Sequence, residues 1–141
     1  MEQFIAFASN NGMLSAIWVA LLVMIIVTTI RMQLSPIKQI STQDLTFLMN
    51  REDGIALDIR KENEFKAGHI LDAISLSSDK ISKNGTASLE KYKDKPIIVV
   101  CTAGMSAVQI ATNLHKSGFA RVSVLKGGMN SWTSAGLPVV K

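Results

Sequence analysis

From Met13 to Ile30 the chain reads MLSAIWVALLVMIIVTTI, a run in which only Ser15, Thr28 and Thr29 are polar. A helix of this length spans about 27 Å, close to the roughly 30 Å hydrocarbon thickness of a bilayer. It is apolar all round, unlike the one-sided helices that cover a soluble core. A cleaved signal peptide would want a basic leader and a small-x-small pair after the apolar core. Here Glu2 is the only charge before the run, and Arg31, Met32 and Gln33 follow it. The pattern predicts an uncleaved transmembrane helix at 13–30, preceded by a tail at 1–12 and followed by a linker at 31–36.

After Pro36 the pattern changes to short apolar runs separated by polar and glycine-containing stretches. Strands are predicted at 37–40, 55–58, 73–76, 96–100 and 122–125, with PIIVV at 96–100 the clearest. Ser41 to Asp44 offers N-cap chemistry for a helix over 45–50. A helical turn is expected at 62–66, stopped by Gly68, and another helix at 89–92. Apolar positions 107, 108, 110, 111 and 114 carry a helical period that Gly118 ends. Gly127 and Gly128 open a helix over 129–135, and 137–140 closes the domain. The Ser-, Lys- and Asn-rich stretch 77–88 reads as mostly loop. Strands alternating with helices indicate an α/β domain over 37–141, its parallel sheet buried on both faces.

Composition narrows the chemistry. With 141 residues there is room for one soluble domain besides the anchor. A single cysteine, Cys101, excludes an intramolecular disulfide and a cysteine-based zinc site, and two histidines are too few for most metal centres. No G-x-G-x-x-G, P-loop or metal-ligand spacing is present, so neither cofactor nor metal is expected. All 15 basic residues and 10 of the 11 acidic ones follow position 30. The basic residues are scattered among acids, which speaks against nucleic acid and for a solvated face or mild attraction to an anionic leaflet. Arg31 and Lys38 follow the apolar run and no Lys or Arg precedes it. The positive-inside rule therefore predicts the N-terminus outside and 31–141 in the cytoplasm, where a lone thiol also fits.

The richest stretch is Val99-Val100-Cys101-Thr102-Ala103-Gly104-Met105-Ser106-Ala107. A buried strand ends at Cys101, a loop turns through Gly104, and a helix begins near Ser106. Ligand sites of parallel sheets lie at the carboxyl ends of strands. The first N–H groups of the next helix would stabilise an anion there, whether a thiolate or the outer sulfur of a persulfide. An inert buried cysteine is the plain alternative. A cysteine phosphatase would need an arginine six residues after the nucleophile; position 107 is Ala.

Four segments together resemble a rhodanese-like (sulfurtransferase) domain. They are Leu57-Asp58-Ile59-Arg60 with Glu64-Phe65, Gly68-His69-Ile70 and Ala73 to Leu76; Cys101-Thr102-Ala103-Gly104; Val124 to Gly128 with Trp132; and Gly136-Leu137-Pro138-Val139. With its anchor the chain is similar to small, single-domain, membrane-bound rhodanese-like proteins of bacteria, which places it in the inner membrane. The resemblance implies a five-stranded parallel sheet with helices on both faces, preceded by the transmembrane helix. It implies that Cys101 takes sulfur from a sulfane donor such as thiosulfate or a persulfide and passes it to a thiol or cyanide. The backbone N–H groups of Thr102, Ala103, Gly104, Met105 and Ser106 would hold the persulfide anion.

Asp58 and Arg60 are expected as site wall, pairing with each other or with nearby loops. Lys126 is the candidate cation at the mouth of the site. His69 is expected to bond backbone, and Phe65 and Trp132 to sit in the core. The loop departs from many active members, which carry Arg or Lys at its fifth position and Ser or Thr at its seventh; here these are Met105 and Ala107. Two functions stay open: a membrane-tethered sulfurtransferase, and a weak or inactive module that docks a membrane-protein partner.

Overall fold

The computed structural model describes residues 10–33, 37–84 and 86–141. The chain divides into two compact units, 1–35 and 36–141. In the first unit α1 (Gly12–Gln33) is one continuous helix, and its Gly12–Ile30 portion is long and apolar enough to cross a membrane. It runs past Ile30, so the expected linker shrinks; positions 34–36 of that linker and 1–9 of the expected tail lie outside the described residues. The Thr28 hydroxyl donates to the carbonyls of Met24 and Ile25, both at 2.9 Å, and the Thr29 hydroxyl donates to Ile25 at 2.8 Å. The polar groups near the end of the apolar run are thus satisfied by the helix itself, as a hydrocarbon environment requires.

The second unit is a five-stranded parallel sheet of β1 (Lys38–Ile40), β2 (Ile55–Asp58), β3 (Ile74–Ser75), β4 (Ile97–Val100) and β5 (Val122–Leu125). The spatial order is β1-β5-β4-β2-β3, with β5, β4 and β2 in the interior. Helices α2 (Thr42–Arg51), α3 (Glu62–Ala67), α4 (Ser78–Asn84) and α5 (Met105–Lys116), with a 3₁₀ turn at Ala87–Tyr92, lie between the strands, and α6 (Gly128–Ser134) follows the last of them.

Strand periodicity sorts the apolar residues to two faces. Leu57, Ile97, Val99 and Val124 pack with Ala107, Ile110, Ala111 and Leu114 of α5. Ala56, Ile98, Val100 and Leu125 pack on the other side with Leu45 of α2 and with Met129 and Trp132 of α6. Each buried Leu, Ile or Val contributes about 1.5–3 kcal/mol by leaving water. Both clusters reach the strands' carboxyl ends, so the loops there spring from a rigid base.

Two expectations need correction. The polar stretch 77–88 is not mostly loop: α4 occupies Ser78–Asn84 and the 3₁₀ turn begins at Ala87. Two apolar anchors decide this, Ile81 and Leu89, both buried in the α5-side core. Tertiary burial overrides the weak local propensity. Phe65 is only half-buried, because its ring stacks on His69 with centroids 3.8 Å apart.

Candidate active site

Cys101 follows β4 directly and is 4% exposed. Its Sγ accepts a hydrogen bond from the Gly104 N–H at 2.9 Å. Gly104 stands at the N-cap of α5 with φ +91°, a left-handed conformation that bends the chain around the sulfur. No side chain caps α5. Two other helices that follow strands of this sheet spend their first amides inside the protein, one on a side chain and one on backbone carbonyls. On α2, Ser41 and Asp44 form a capping box, with the Asp44 N–H on Ser41 Oγ at 3.1 Å. On α6, the Met129 and Asn130 N–H groups donate to the carbonyls of Cys101 and Thr102 at 2.8 and 3.1 Å.

Those last two bonds explain the paired glycines. A Cβ on Gly128 would lie 2.2 Å from the Cys101 carbonyl oxygen, and Gly128 itself has φ +57°. Only glycine lets α6 approach the cysteine loop this closely. A Cβ on Gly104 would meet the Gly127 nitrogen at 3.0 Å. The loop's carbonyls are therefore turned towards α6, while the Gly104 amide faces the sulfur. The sequence marks Gly127 and Gly128 only as a helix start; their buttressing role depends on contacts some 27 positions away.

The site-wall candidates form a closed unit one strand over, where Asp58 pairs in register with Val100. The Arg60 guanidinium donates to both Asp58 oxygens, Nε at 3.0 and 3.1 Å and Nη2 at 2.7 Å. Nη2 also donates to the Gly68 carbonyl at 2.8 Å, and the Arg60 backbone N–H meets Asp58 Oδ1 at 3.0 Å. Asp58 is buried and Arg60 partly so, and both carboxylate oxygens are engaged. His69 Nδ1 lies 2.9 Å from the Phe65 carbonyl, and its backbone exchanges bonds with Val140. Trp132 is core, with Nε1 donating to the Pro138 carbonyl.

The remaining loop residues line the surface. Thr102, Ala103, Met105 and Ser106 are exposed, Met105 by 85%. Lys126 is exposed past β5; among the described residues no hydrogen bond or ion pair joins its side chain to the cysteine loop. One contact had no signal in the sequence. The Thr102 hydroxyl donates to Glu64 Oε1 at 3.3 Å, across 38 positions. Beside it opens a cleft of about 250 Å³ bordered by Arg60, Glu64, Thr102, Asn130 and Thr133. A larger hollow of about 490 Å³, around Phe65, His69 and Lys80, includes no cysteine-loop residue, so size does not mark the site.

A thiol on an uncapped helix start, buttressed by backbone, is suited to forming and holding a charged sulfur. Protein YibN of Escherichia coli is 40% identical across 141 residues, covering 100% of this chain and 99% of its own. A thiosulfate sulfurtransferase GlpE of Pseudoalteromonas translucida is 38% identical over 98 residues, 70% of this chain and 90% of its own. The crystal structure of a rhodanese-related protein from Thermoplasma volcanium superposes with a TM-score of 0.65 at 28% identity, covering 73% of this chain and 97% of that one. The model of the rhodanese-like domain matches residues 41–135, which span α2 to α6 and both sides of the cysteine loop. With that match covering most of the folded unit and the fold shared with a rhodanese-related structure, the chain belongs to the rhodanese-like domain family.

Proposed function

We propose that this chain is a membrane-anchored sulfurtransferase that carries sulfane sulfur as a Cys101 persulfide. The observation that carries the reading is the Gly104 N–H aimed at Sγ from the start of a helix that no side chain caps. In the first step the Cys101 thiolate attacks the outer sulfur of a donor. With thiosulfate, the S–S bond breaks, sulfite leaves with the electron pair, and Cys101–S–S⁻ remains. In the second step an acceptor attacks that outer sulfur. Cyanide leaves as thiocyanate; a thiol gives up its proton and leaves as a persulfide. Either way the Cys101 thiolate is restored and no outside oxidant is consumed. The N–H groups of the loop from Thr102 to Ser106 serve the anion in both states. Asp58 and Arg60 stiffen the neighbouring wall, and Lys126 supplies a cation at that end of the sheet.

The GlpE relatives act on thiosulfate by name. In this chain the fifth loop position is Met105, which offers a dianion no charge. Protein or low-molecular-weight persulfides are therefore the better donors. The helix α1 anchors the domain in the inner membrane with the N-terminus outside and the rhodanese-like unit in the cytoplasm, a placement supported by the apolar span and by Arg31 and Lys38 after it.

A second reading, a membrane-tethered module that docks a protein partner, draws on the exposed Met105. Mass spectrometry of the full chain in detergent separates the two. Incubation with a sulfane donor adds one sulfur atom, and Cys101→Ser abolishes the gain. A chain that takes up no sulfur from thiosulfate or from any persulfide is the docking module.

A further inference from the structure

We infer that Glu64 is a positioning residue for sulfur transfer: it holds the cysteine loop through the Thr102 hydroxyl, and the Asp58–Arg60 pair is the mount from which it acts. The role in transfer rests on the sulfurtransferase reading. The segment from Asp58 to Gly68 is built as a bracket. Arg60 grips the Asp58 carboxylate at the end of β2 and, through Nη2, the Gly68 carbonyl just past α3. One arginine thus pins the chain on both sides of this six-residue helix. Glu64 stands within α3 and has both oxygens in use. Oε2 accepts the Lys61 N–H at 3.4 Å, which sets the side chain against its own helix. Oε1 accepts the Thr102 hydroxyl at 3.3 Å. Among the described residues this is the one hydrogen bond that a side chain of the loop at 102–106 makes to another element.

Thr102 follows Cys101 directly and stands two residues before Gly104, whose N–H meets Sγ. Its carbonyl, like that of Cys101, is held from the α6 side by the backbone N–H groups of Asn130 and Met129. Its hydroxyl is held from α3. Gripped from two elements, the loop has one setting, and the Gly104 amide stays on the sulfur. Gripped by α6 alone it can pivot, because two neighbouring backbone bonds make a hinge. Cys101 is 4% exposed, so a small pivot changes which amides face its sulfur. During loading the Cys101 sulfur bonds to the donor's outer sulfur, the donor's S–S bond breaks, and the leaving thiolate or sulfite takes the electron pair. The loop amides then meet a new anion one sulfur further out, and a misplaced N–H forfeits rate.

The test breaks the bond from each end in the full chain in detergent. It reads the rate of loading by whichever of thiosulfate and glutathione persulfide loads wild type faster, and the exchange of the Gly104 amide proton by NMR of isotope-labelled protein. Thr102→Val takes away the donor and leaves the Glu64 charge; Glu64→Ala takes away the acceptor. Each slows loading about fivefold, the size of a partly exposed hydrogen bond to a charged group, and each speeds Gly104 exchange. Thr102→Ser and Glu64→Gln keep a donor and an acceptor and stay within about twofold of wild type. The double variant of Thr102→Val with Glu64→Ala also loads about fivefold slower, since both changes break one bond; independent effects would multiply to about twenty-fivefold. Failure of the serine and glutamine variants to restore the rate overturns the tether. So do multiplied effects, unchanged Gly104 exchange, or a slowdown matched by loss of folded protein in a denaturant titration. A wild-type chain that takes up no sulfur overturns the sulfurtransferase reading instead, and Gly104 exchange then still decides whether the tether holds the loop.

Discussion

Two neighbouring strands of one sheet end in opposite ways. At the end of β2, Asp58 and Arg60 engage one another: four side-chain and backbone bonds to the carboxylate, and one more from Nη2 to the Gly68 carbonyl, tie up both carboxylate oxygens together with Nε and Nη2. At the end of β4, aligned in register beside it, a helix begins without a side-chain cap and a single sulfur takes the Gly104 amide. Topology alone makes both ends equally eligible as sites. What separates a structural corner from a reactive one is whether its hydrogen-bonding capacity is consumed inside the protein or kept for a bound anion.

If that contrast is right, the two ends fail differently. Asp58→Ala leaves the Arg60 guanidinium buried without its partner, and unfolding in denaturant becomes easier by about 3–5 kcal/mol. A change under about 1 kcal/mol would mean that water replaces the carboxylate and that the corner is not closed. Cys101→Ser is the mirror image: sulfur loading disappears, while the denaturation midpoint moves little because the side chain changes by one atom. Gly128→Ala strikes the support of the reactive end. Its Cβ collides with the Cys101 carbonyl in a left-handed conformation, so stability drops by about 3 kcal/mol and the loaded fraction falls with it. Met105→Arg sharpens the contrast from the other direction by adding the missing loop cation. The kcat/KM for thiosulfate rises about tenfold, the effect of one well-placed charge on a dianion.

The smallest effect belongs to a third strand end, that of β1, where Ser41 and Asp44 close the start of α2. Ser41→Ala costs about 1 kcal/mol in thermal or chemical denaturation. The Ser41 hydroxyl, and after it the Ser41 backbone N–H, holds the Asp44 carboxyl below its ordinary range. A lowered native value means that this contribution is complete above the ordinary carboxylate range and disappears as the pH falls through the lowered one. The acid side of the stability profile should therefore flatten in the variant.

Much of this was readable from residue order. The apolar run at 13–30, the strand ending at Cys101, the capping residues at 41–44 and the glycine stops are local signals, and local geometry follows them. The motif segments sufficed for the family and the five-stranded sheet. Other features were hidden for physical reasons. The helix at 78–84 is polar in composition and is held by one buried isoleucine, which no period reveals. The need for glycine at 128 comes from a backbone passing within touching distance, and a sequence carries no trace of distance. The Glu64 contact joins α3 to the cysteine loop, whose proximity depends on β2 and β4 being neighbours, and strand order is not written in hydrophobic alternation.

The backbone clasp between Gly128 and the cysteine loop also has a consequence in time. A ribosome delivers Cys101 well before it delivers α6, so a nascent chain holds the thiol without the amides that fix its surroundings. The long apolar helix α1 emerges earlier still. The order of synthesis is thus apolar helix first, cysteine second, clasp last, and the loop takes its final shape only when translation is nearly finished. Premature termination anywhere between the last two would leave a thiol that is present in the polypeptide but not yet held in its folded surroundings.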